Sequence, residues 1–396
     1  MRPNLALRPE RKAFPRRGPH LYALQIDGGA FIPAMLDAIA EAKDRVFLEM
    51  YLFVSGSVAE KFIAMLAGAA RRGVAVYLLI DDFGSHGLSR EDRERLVAAG
   101  VHLALYNPLG LSRWRTSLLR NHRKLLAIDG KVAFVGGMGI TDDFDPESRR
   151  DGQHWHEVML DLRGPCVADW ETLFAHCWRQ WSMEPIPLPA TPPKVVPGAE
   201  DGQVVGHLRA GGRPVMRSVL AAIGKARRRV WIATAYFVPT VRLRRALRRA
   251  ARRGVDVRLL LAGPRNDHPS VWHAGRRFYG RLLRGGVRIF EYQPRFLHAK
   301  MVLCDDWASV GSSNLDHWTL RWNLEANQGV MDPVLAGNLA KLFAEDFEQS
   351  EEWTGAAWRD RGLWLRLMER VAGGLDDYLV QWSYRRALRH PPSQRS

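Results

Sequence analysis

The spelling His-x-Lys-(x)4-Asp occurs twice in this chain, at His122, Lys124 and Asp129 and again at His298, Lys300 and Asp305. Two imidazoles and two ammonium groups match what metal-free chemistry at a phosphodiester requires. Such an ester is anionic and resists attack, so its non-bridging oxygens must be neutralised, a nucleophile supplied and the departing alkoxide protonated. One neutral imidazole can attack phosphorus and hold it as a covalent phosphohistidine. The other, protonated, gives its proton to the leaving oxygen and then takes one from the incoming alcohol. Lys124 and Lys300 serve as point charges on the oxygens. This chemistry calls for no cofactor and no metal; Asp142, Asp143 and Asp145 read as a turn or helix start.

Each imidazole also needs its far nitrogen held, usually by a carboxylate, so that the near one is free to react. Glu157, in Trp155-His-Glu-Val-Met-Leu, and Glu325, in Asn323-Leu-Glu-Ala-Asn, each follow a motif within an apolar run. A carboxylate there is costly unless paired. We therefore expect Glu157 to orient His122 and Glu325 to orient His298, with ordinary ion pairs as the alternative. His154, His156, His268 and His317 read as structural or exposed.

The motifs must be positioned by strands. Lys124 to Lys131 with Val132–Val135, and Lys300 to Asp305 with Trp307–Val310, have strand composition. Strand alternation puts each His and Lys on one face and the Asp on the other, so the Asp is expected to brace a turn. Upstream, the periodicity predicts a helix from Ile32 to Ala40, a strand from Arg45 to Phe53, a helix from Val58 to Arg71, a strand from Val74 to Ile80, a helix from Arg90 to Ala99 and a strand from Val101 to Tyr106. That is an α/β order, and it recurs. Arg71-Arg-Gly-Val-Ala-Val matches Arg252-Arg-Gly-Val-Asp-Val, Gly100-Val-His-Leu matches Gly286-Val-Arg-Ile, and Arg45-Val-Phe-Leu matches Arg229-Val-Trp-Ile. Two similar halves, each ending in a His/Lys strand, imply a pseudo-twofold with one site built from both. The expected divisions are a flexible basic lead (1–20), a first domain (21–183), a Pro-rich extended linker (184–200), a second domain (201–348) and a basic tail (349–396).

The chain has 396 residues and a formal charge of +16, which calls for an anionic partner: phospholipid, nucleic acid or a phosphorylated small molecule. Cys166, Cys177 and Cys304 have no metal-ligand spacing and read as buried thiols. No run of about eighteen apolar residues occurs, so membrane contact is expected to be peripheral. Two stretches read either as lipid-facing or as packed on the protein. One is the insertion Leu109 to Asn121, with Trp114, Leu118 and Leu119 among Arg113, Arg115 and Arg120. The other is the tail, with Trp353, Trp358, Trp364, Leu367, Trp382 and Tyr384 among arginines. For the Arg-dense helix Val241 to Arg253 the solvated-face reading is preferred.

The twin motifs, the Gly136-Gly137 and Gly311-Ser312-Ser313-Asn314 turns after them, and the repeat resemble the phospholipase D superfamily. Ala235-Tyr-Phe-Val-Pro239, Leu283 to Tyr292, Leu297-His-Ala-Lys300, Val310 to Asp316 and Asn323-Leu-Glu-Ala-Asn327 narrow this to bacterial cardiolipin synthases of the B type, without N-terminal membrane spans, over about Leu24 to Asp346. The resemblance implies two pseudo-twofold-related repeats, each a mixed sheet flanked by helices, sharing one active site. Its catalytic set would be His122, Lys124, Asp129, His298, Lys300 and Asp305, with Gly137, Ser312 and Asn314 binding phosphate. It further implies His122 as nucleophile, His298 as acid and base, and phosphatidyl transfer between two phosphatidylglycerols to give cardiolipin and glycerol. The place of action would be the periphery of the bacterial inner membrane. Two departures stand out: Gly139 occupies the position of a family Asn, and the turn after Asp305 is one residue shorter than that after Asp129. The rival readings are a hydrolytic phospholipase D, a metal-independent nuclease and a membrane-binding protein with a vestigial site.

Overall fold

The structure, a computed structural model, describes residues 14–108, 119–187, 201–206, 214–317 and 322–362, with single positions at 198, 368 and 374. Most of the insertion after Pro108, most of the Pro-rich linker, and Trp364, Leu367, Trp382 and Tyr384 lie outside the described residues.

In the first half, β1 (Leu21–Ile26), α1 (Gly28–Glu41), β2 (Arg45–Met50), α2 (Ser57–Arg71), β3 (Ala75–Asp81), α3 (Arg90–Ala98) and β4 (His102–Tyr106) lead to a short β5 (Arg120–Asn121). Then come β6 (Leu125–Ile128), β7 (Val132–Gly136), β8 (Val158–Arg163) and α4 (Cys166–Trp181). Strands β2 and β3 are near-continuous apolar runs because both faces are covered, and helical crossovers make β2, β3 and β4 parallel. The motif strand β6 enters antiparallel beside β2 and turns into β7. The sheet order is β1-β8-β7-β6-β2-β3-β4.

The second half repeats the plan. It comprises β9 (Gly202–Gly206), α5 (Pro214–Lys225), β10 (Arg229–Thr234), α6 (Val241–Arg252), β11 (Asp256–Ala262), α7 (Pro269–Arg276), α8 (Tyr279–Leu283) and β12 (Arg288–Tyr292). After these follow β13 (Met301–Cys304), β14 (Trp307–Gly311), β15 (Asn323–Leu324), β16 (Ala326–Met331), α9 (Pro333–Glu348), β17 (Ser350–Trp353) and α10 (Gly355–Asp360). Its sheet runs β17-β12-β11-β10-β13-β14-β16-β9. Arg45 faces Ala75 and Val46 faces Ile128, just as Arg229 faces Asp256 and Val230 faces Cys304, so the repeat read in the sequence is a repeat of register. Between the sheets lies one core shared by both halves, filled by Trp170, Phe174 and Trp178 of α4 and Leu339, Phe343 and Phe347 of α9. Each sheet's outer face has a core of its own under α1 and α2, or under α5 and α6.

Strand β1 was not legible in the sequence, because its residues are half-exposed or exposed at a sheet edge. Two expectations need correction. The lead is not loose to residue 20: Arg17 is buried in an ion pair with Asp169 at 2.7 Å and exchanges backbone hydrogen bonds with Gly202. The tail does not begin at 349 as a lipid-facing helix either. Strand β17 completes the second sheet against β12, the Trp353 indole donates to Glu291 at 2.9 Å, and Trp358 is buried beside Tyr279. Those indoles are apolar surface that the second half itself covers.

Candidate active site

The two halves are stitched where the motifs begin. Strands β5 and β15 pair in parallel, so the His122 N–H donates to the Leu324 carbonyl at 3.0 Å. The pseudo-symmetric stitch is the bridge between His156 and Leu297, where the His298 N–H donates to the His156 carbonyl at 2.8 Å. The residue after Leu324 is Glu325, and the residue after His156 is Glu157. Each motif histidine is therefore delivered beside the glutamate of the other half.

This crosses the expected pairing. His298 Nδ1 lies 2.6 Å from Oε2 of Glu157, and His122 Nδ1 lies 2.9 Å from Oε1 of Glu325, both carboxylates being fully buried. Glu157 belongs with His298 and Glu325 with His122, because the strand that carries each glutamate runs alongside the opposite half's motif. In both cases Nδ1 faces the carboxylate and Nε2 is left to react.

The lysines sit within the same cluster. Lys124 Nζ donates to the His122 carbonyl at 2.7 Å, and Lys300 Nζ donates to the His298 carbonyl while lying 3.6 Å from Glu157 Oε2. Burial lowers both ammonium groups, Lys124 to about 7, against the opposing pull of the glutamates. Burial also raises Glu157 to about 7, with Lys300 opposing. Both imidazoles are pushed down: His122 by burial against the pull of Glu325, His298 further by burial and the charges of Lys300 and Lys124. His122 and Lys300 act on each other electrostatically, as do His298 and His122, which places one cluster across the two halves. Both shifts favour the neutral ring, the form a nucleophile needs.

The motif aspartates are elsewhere. Asp129 accepts backbone N–H bonds from Lys43, Asp44 and Arg45, and Asp305 from Arg227, Arg228 and Arg229, all at 2.8–2.9 Å. Both adopt φ 54°, and although burial alone would raise them, these donors hold both carboxyls low. Seven residues of extended chain put them about 20 Å from the histidines. They brace the turns into β2 and β10 and stand outside the reacting set.

The phosphate-binding expectations also change. Ser312 donates its hydroxyl to Glu325 and accepts the Ala326 N–H, so it seats the glutamate that holds His122. At the equivalent Gly137 a β-carbon would collide with Glu157 Oε2, so glycine makes room for the other glutamate. Asn314 accepts from Thr234 at 3.2 Å, tying its turn to the end of β10. At Gly139, where the Asn has no counterpart, a β-carbon would meet Leu52 at 2.9 Å.

Several supporting residues escaped the sequence reading. His298 is boxed by the rings of Trp155, Phe144 and Phe296 at 5.0–5.6 Å, while Tyr51 meets His122 edge-on at 4.8 Å. Beneath His122, buried Glu49 pairs with Arg123 at 2.9 Å and Asn121 at 2.6 Å, and buried Asp81 pairs with Arg120 at 3.2 Å. The signal was available: Glu49 and Asp81 are carboxylates inside apolar strands. His156 is buried between Asp27 at 2.8 Å and Asp346 at 3.1 Å; burial alone would lower it, but the two carboxylates lift it to about 10. Asp142 caps α2, accepting from Val58 N–H at 2.9 Å, in keeping with a helix-start role. Among the described residues no group of three or more His, Cys, Asp or Glu is arranged to hold a metal ion.

Known proteins are similar to this chain over most of its length. The chain is 36% identical to cardiolipin synthase B of Escherichia coli K12 over 360 residues, covering 85% of this chain and 83% of that one. It is 35% identical to a cardiolipin synthase A of Pseudomonas aeruginosa, covering 84% and 68%. The crystal structure of a phosphatidylserine synthase from Haemophilus influenzae shares the fold, with a TM-score of 0.72 over 94% of this chain and 96% of that one at 11% identity. The family described as cardiolipin synthase, PLD-like domain, matches residues 35–178 and 219–349, one match in each half. The two-sheet duplication and the extent of these matches lead to one conclusion: the chain belongs to the cardiolipin synthase family with phospholipase D-like domains.

Proposed function

We propose that the chain moves a phosphatidyl group from one phosphatidylglycerol to another, making cardiolipin and glycerol through a covalent phosphohistidine, at the periphery of the bacterial inner membrane. The observation that carries this reading is the crossed pair of imidazoles, each with Nδ1 against a buried glutamate and a buried lysine alongside.

Nε2 of neutral His122 attacks phosphorus, and the bond to the glycerol oxygen breaks as protonated His298 delivers its proton to that oxygen. Burial and the two lysines hold His298 low, but the arriving phosphodiester brings a negative charge that offsets the lysines and favours the imidazolium. Lys124 and Lys300 neutralise the non-bridging oxygens. In the second half-reaction His298 takes the proton from the hydroxyl of the second phosphatidylglycerol. Its oxygen bonds to phosphorus, and His122 leaves. The aromatic box around His298 supports transfer over hydrolysis, because it keeps water from the group that activates the acceptor.

Incubating the purified chain with phosphatidylglycerol and weighing the products tests the proposal. Cardiolipin plus glycerol is expected; phosphatidic acid alone would assign hydrolysis, and no lipid turnover together with cleavage of DNA would assign a nuclease.

A further inference from the structure

Helices α6 and α8 build a surface that the reaction itself does not use. Residues 241–253 contain seven arginines and residues 269–290 five, with no Asp, Glu or Lys in either stretch. Arg276 and Arg288 are paired with Glu291 and Glu352, and Arg253 caps carbonyls of the α5 turn. By contrast Arg242, Arg245, Arg248, Arg249, Arg252 and Arg281 meet no carboxylate among the described residues. Leu243, Leu247 and Ala250 anchor α6 in the outer core, which fixes the arginine face outward.

That face is also a concavity. Val241, Arg244, Arg245, Arg248, Arg281 and Leu282 line a groove of about 290 Å³, with the Arg248 stem lying against Gly285. Arg248 Nε is buried there without an acceptor among the described residues, a donor left for an anionic oxygen. At the rim Val241 is 49% exposed, so an apolar tip stands beside the guanidinium groups. The N-terminal end of α6 lies at the same end of β10 as the motif turn. Thr234, at the end of β10, bonds Asn314 of the motif turn, and the Val238 carbonyl takes the His317 N–H three residues before α6 begins.

We infer that the α6–α8 groove docks the protein on anionic phospholipid headgroups, several guanidinium groups taking headgroup phosphates while Val241 enters the interface. The inference rests on the phospholipid reading above. A row of cations beside an exposed aliphatic tip suits a bilayer surface, where charge and burial act together; a nucleic acid would use the charge alone.

The test compares the full-length chain with Arg245→Gln/Arg248→Gln/Arg281→Gln, and with a control that removes equal charge from the first half, Lys43→Gln/Arg71→Gln/Lys131→Gln. Partition is measured on vesicles of phosphatidylcholine with and without phosphatidylglycerol. At about a fivefold loss per arginine removed, the groove variant should partition to anionic vesicles on the order of 100-fold less, and the control far less affected. Equal losses in the two variants, or unchanged partition of the groove variant, overturns the inference. A groove variant that loses duplex DNA binding but keeps vesicle binding overturns it in favour of nucleic acid. Hydrogen exchange of the unmodified chain needs no variant: vesicles should protect residues 241–252 and 279–286, and protection confined to other segments also overturns it. Turnover of phosphatidylglycerol in neutral detergent micelles should be the same in both variants and the parent. If none of them turns it over, the functional reading falls while the partition result still decides the groove.

Discussion

Replacing Glu325 with glutamine isolates the crossed pairing, because it removes a charge and keeps a shape. The side chain stays seated by the Ser312 hydroxyl, while His122 Nδ1, 2.9 Å away, loses its anionic partner in a fully buried setting. A hydrogen bond to a charged group contributes about 1.5–3 kcal/mol. At 1.36 kcal/mol per tenfold, that lowers the rate of the step His122 performs by about 10- to 150-fold. The assay is a burst experiment with a phosphatidyl p-nitrophenyl ester, whose leaving group departs without a proton and so bypasses His298 in the first step. Glu325→Gln should slow the burst by that factor. Glu157→Gln should leave the burst near the parent's rate yet slow turnover of phosphatidylglycerol, whose glycerol must be protonated. Peptide mass mapping should find the adduct on His122. With the adduct there, a burst slowed by Glu157→Gln and not by Glu325→Gln refutes the crossing; an adduct on His298 refutes the nucleophile assignment.

Further outcomes follow from the same geometry. Lys124 loses its proton as pH rises through about 7 and Glu157 gains one as pH falls through about 7, so kcat/KM should be a narrow bell near neutrality; Lys124→Arg should move the alkaline limb upward, and an unmoved limb would remove Lys124 from the profile. His156 is held above its unfolded value of about 6.5, so its contribution to stability is complete below that pH and disappears as pH rises through about 10. His156→Asn should destabilise by about 3–5 kcal/mol at pH 6 and flatten this slope, measured by urea unfolding at several pH values. Asp129→Ala strips an acceptor from three backbone N–H groups far from the chemistry, so it should lower stability by about 1–3 kcal/mol while kcat of the folded fraction is kept. Gly137→Ala drives a methyl group into Glu157 and should lose activity with little loss of stability; Gly139→Asn should gain nothing unless Leu52 is trimmed, which paired activity measurements check.

Much of the fold was legible because its signals are local. The apolar runs of β2 and β3, the Arg-Arg-Gly-Val punctuation before β3 and β11, and the duplicated motif each depend on a few neighbouring residues, and the structure repeats them in register. Strand parity even separated the bracing aspartates from the histidines and lysines. What failed was non-local. Nothing in Leu21–Ile26 announces a strand, because an edge strand with a half-exposed face has no clean alternation. Trp353 and Trp358 look like lipid anchors until β17 supplies the sheet edge that covers them.

The crossing of the glutamates shows why proximity along the chain misleads in a duplicated fold. A carboxylate that follows its motif within one half lies beyond a hairpin and a long connection, and β7 lies between β6 and β8 in the sheet. Reaching its own histidine from β8 would mean crossing that intervening strand. The opposite motif has no such obstacle, because the extended segments before β6 and β13 leave their own sheets and run beside 323–324 and 156 of the other half. A backbone hydrogen bond from each histidine then sets the adjacent glutamate within reach of its ring. The same exchange makes the site conditional on docking: separating the halves removes from each imidazole the carboxylate that holds it. Neither half alone should therefore form a phosphohistidine, and restored adduct formation on mixing one half carrying Glu157 with another carrying His298 would require the shared core of α4 and α9 to reassemble first.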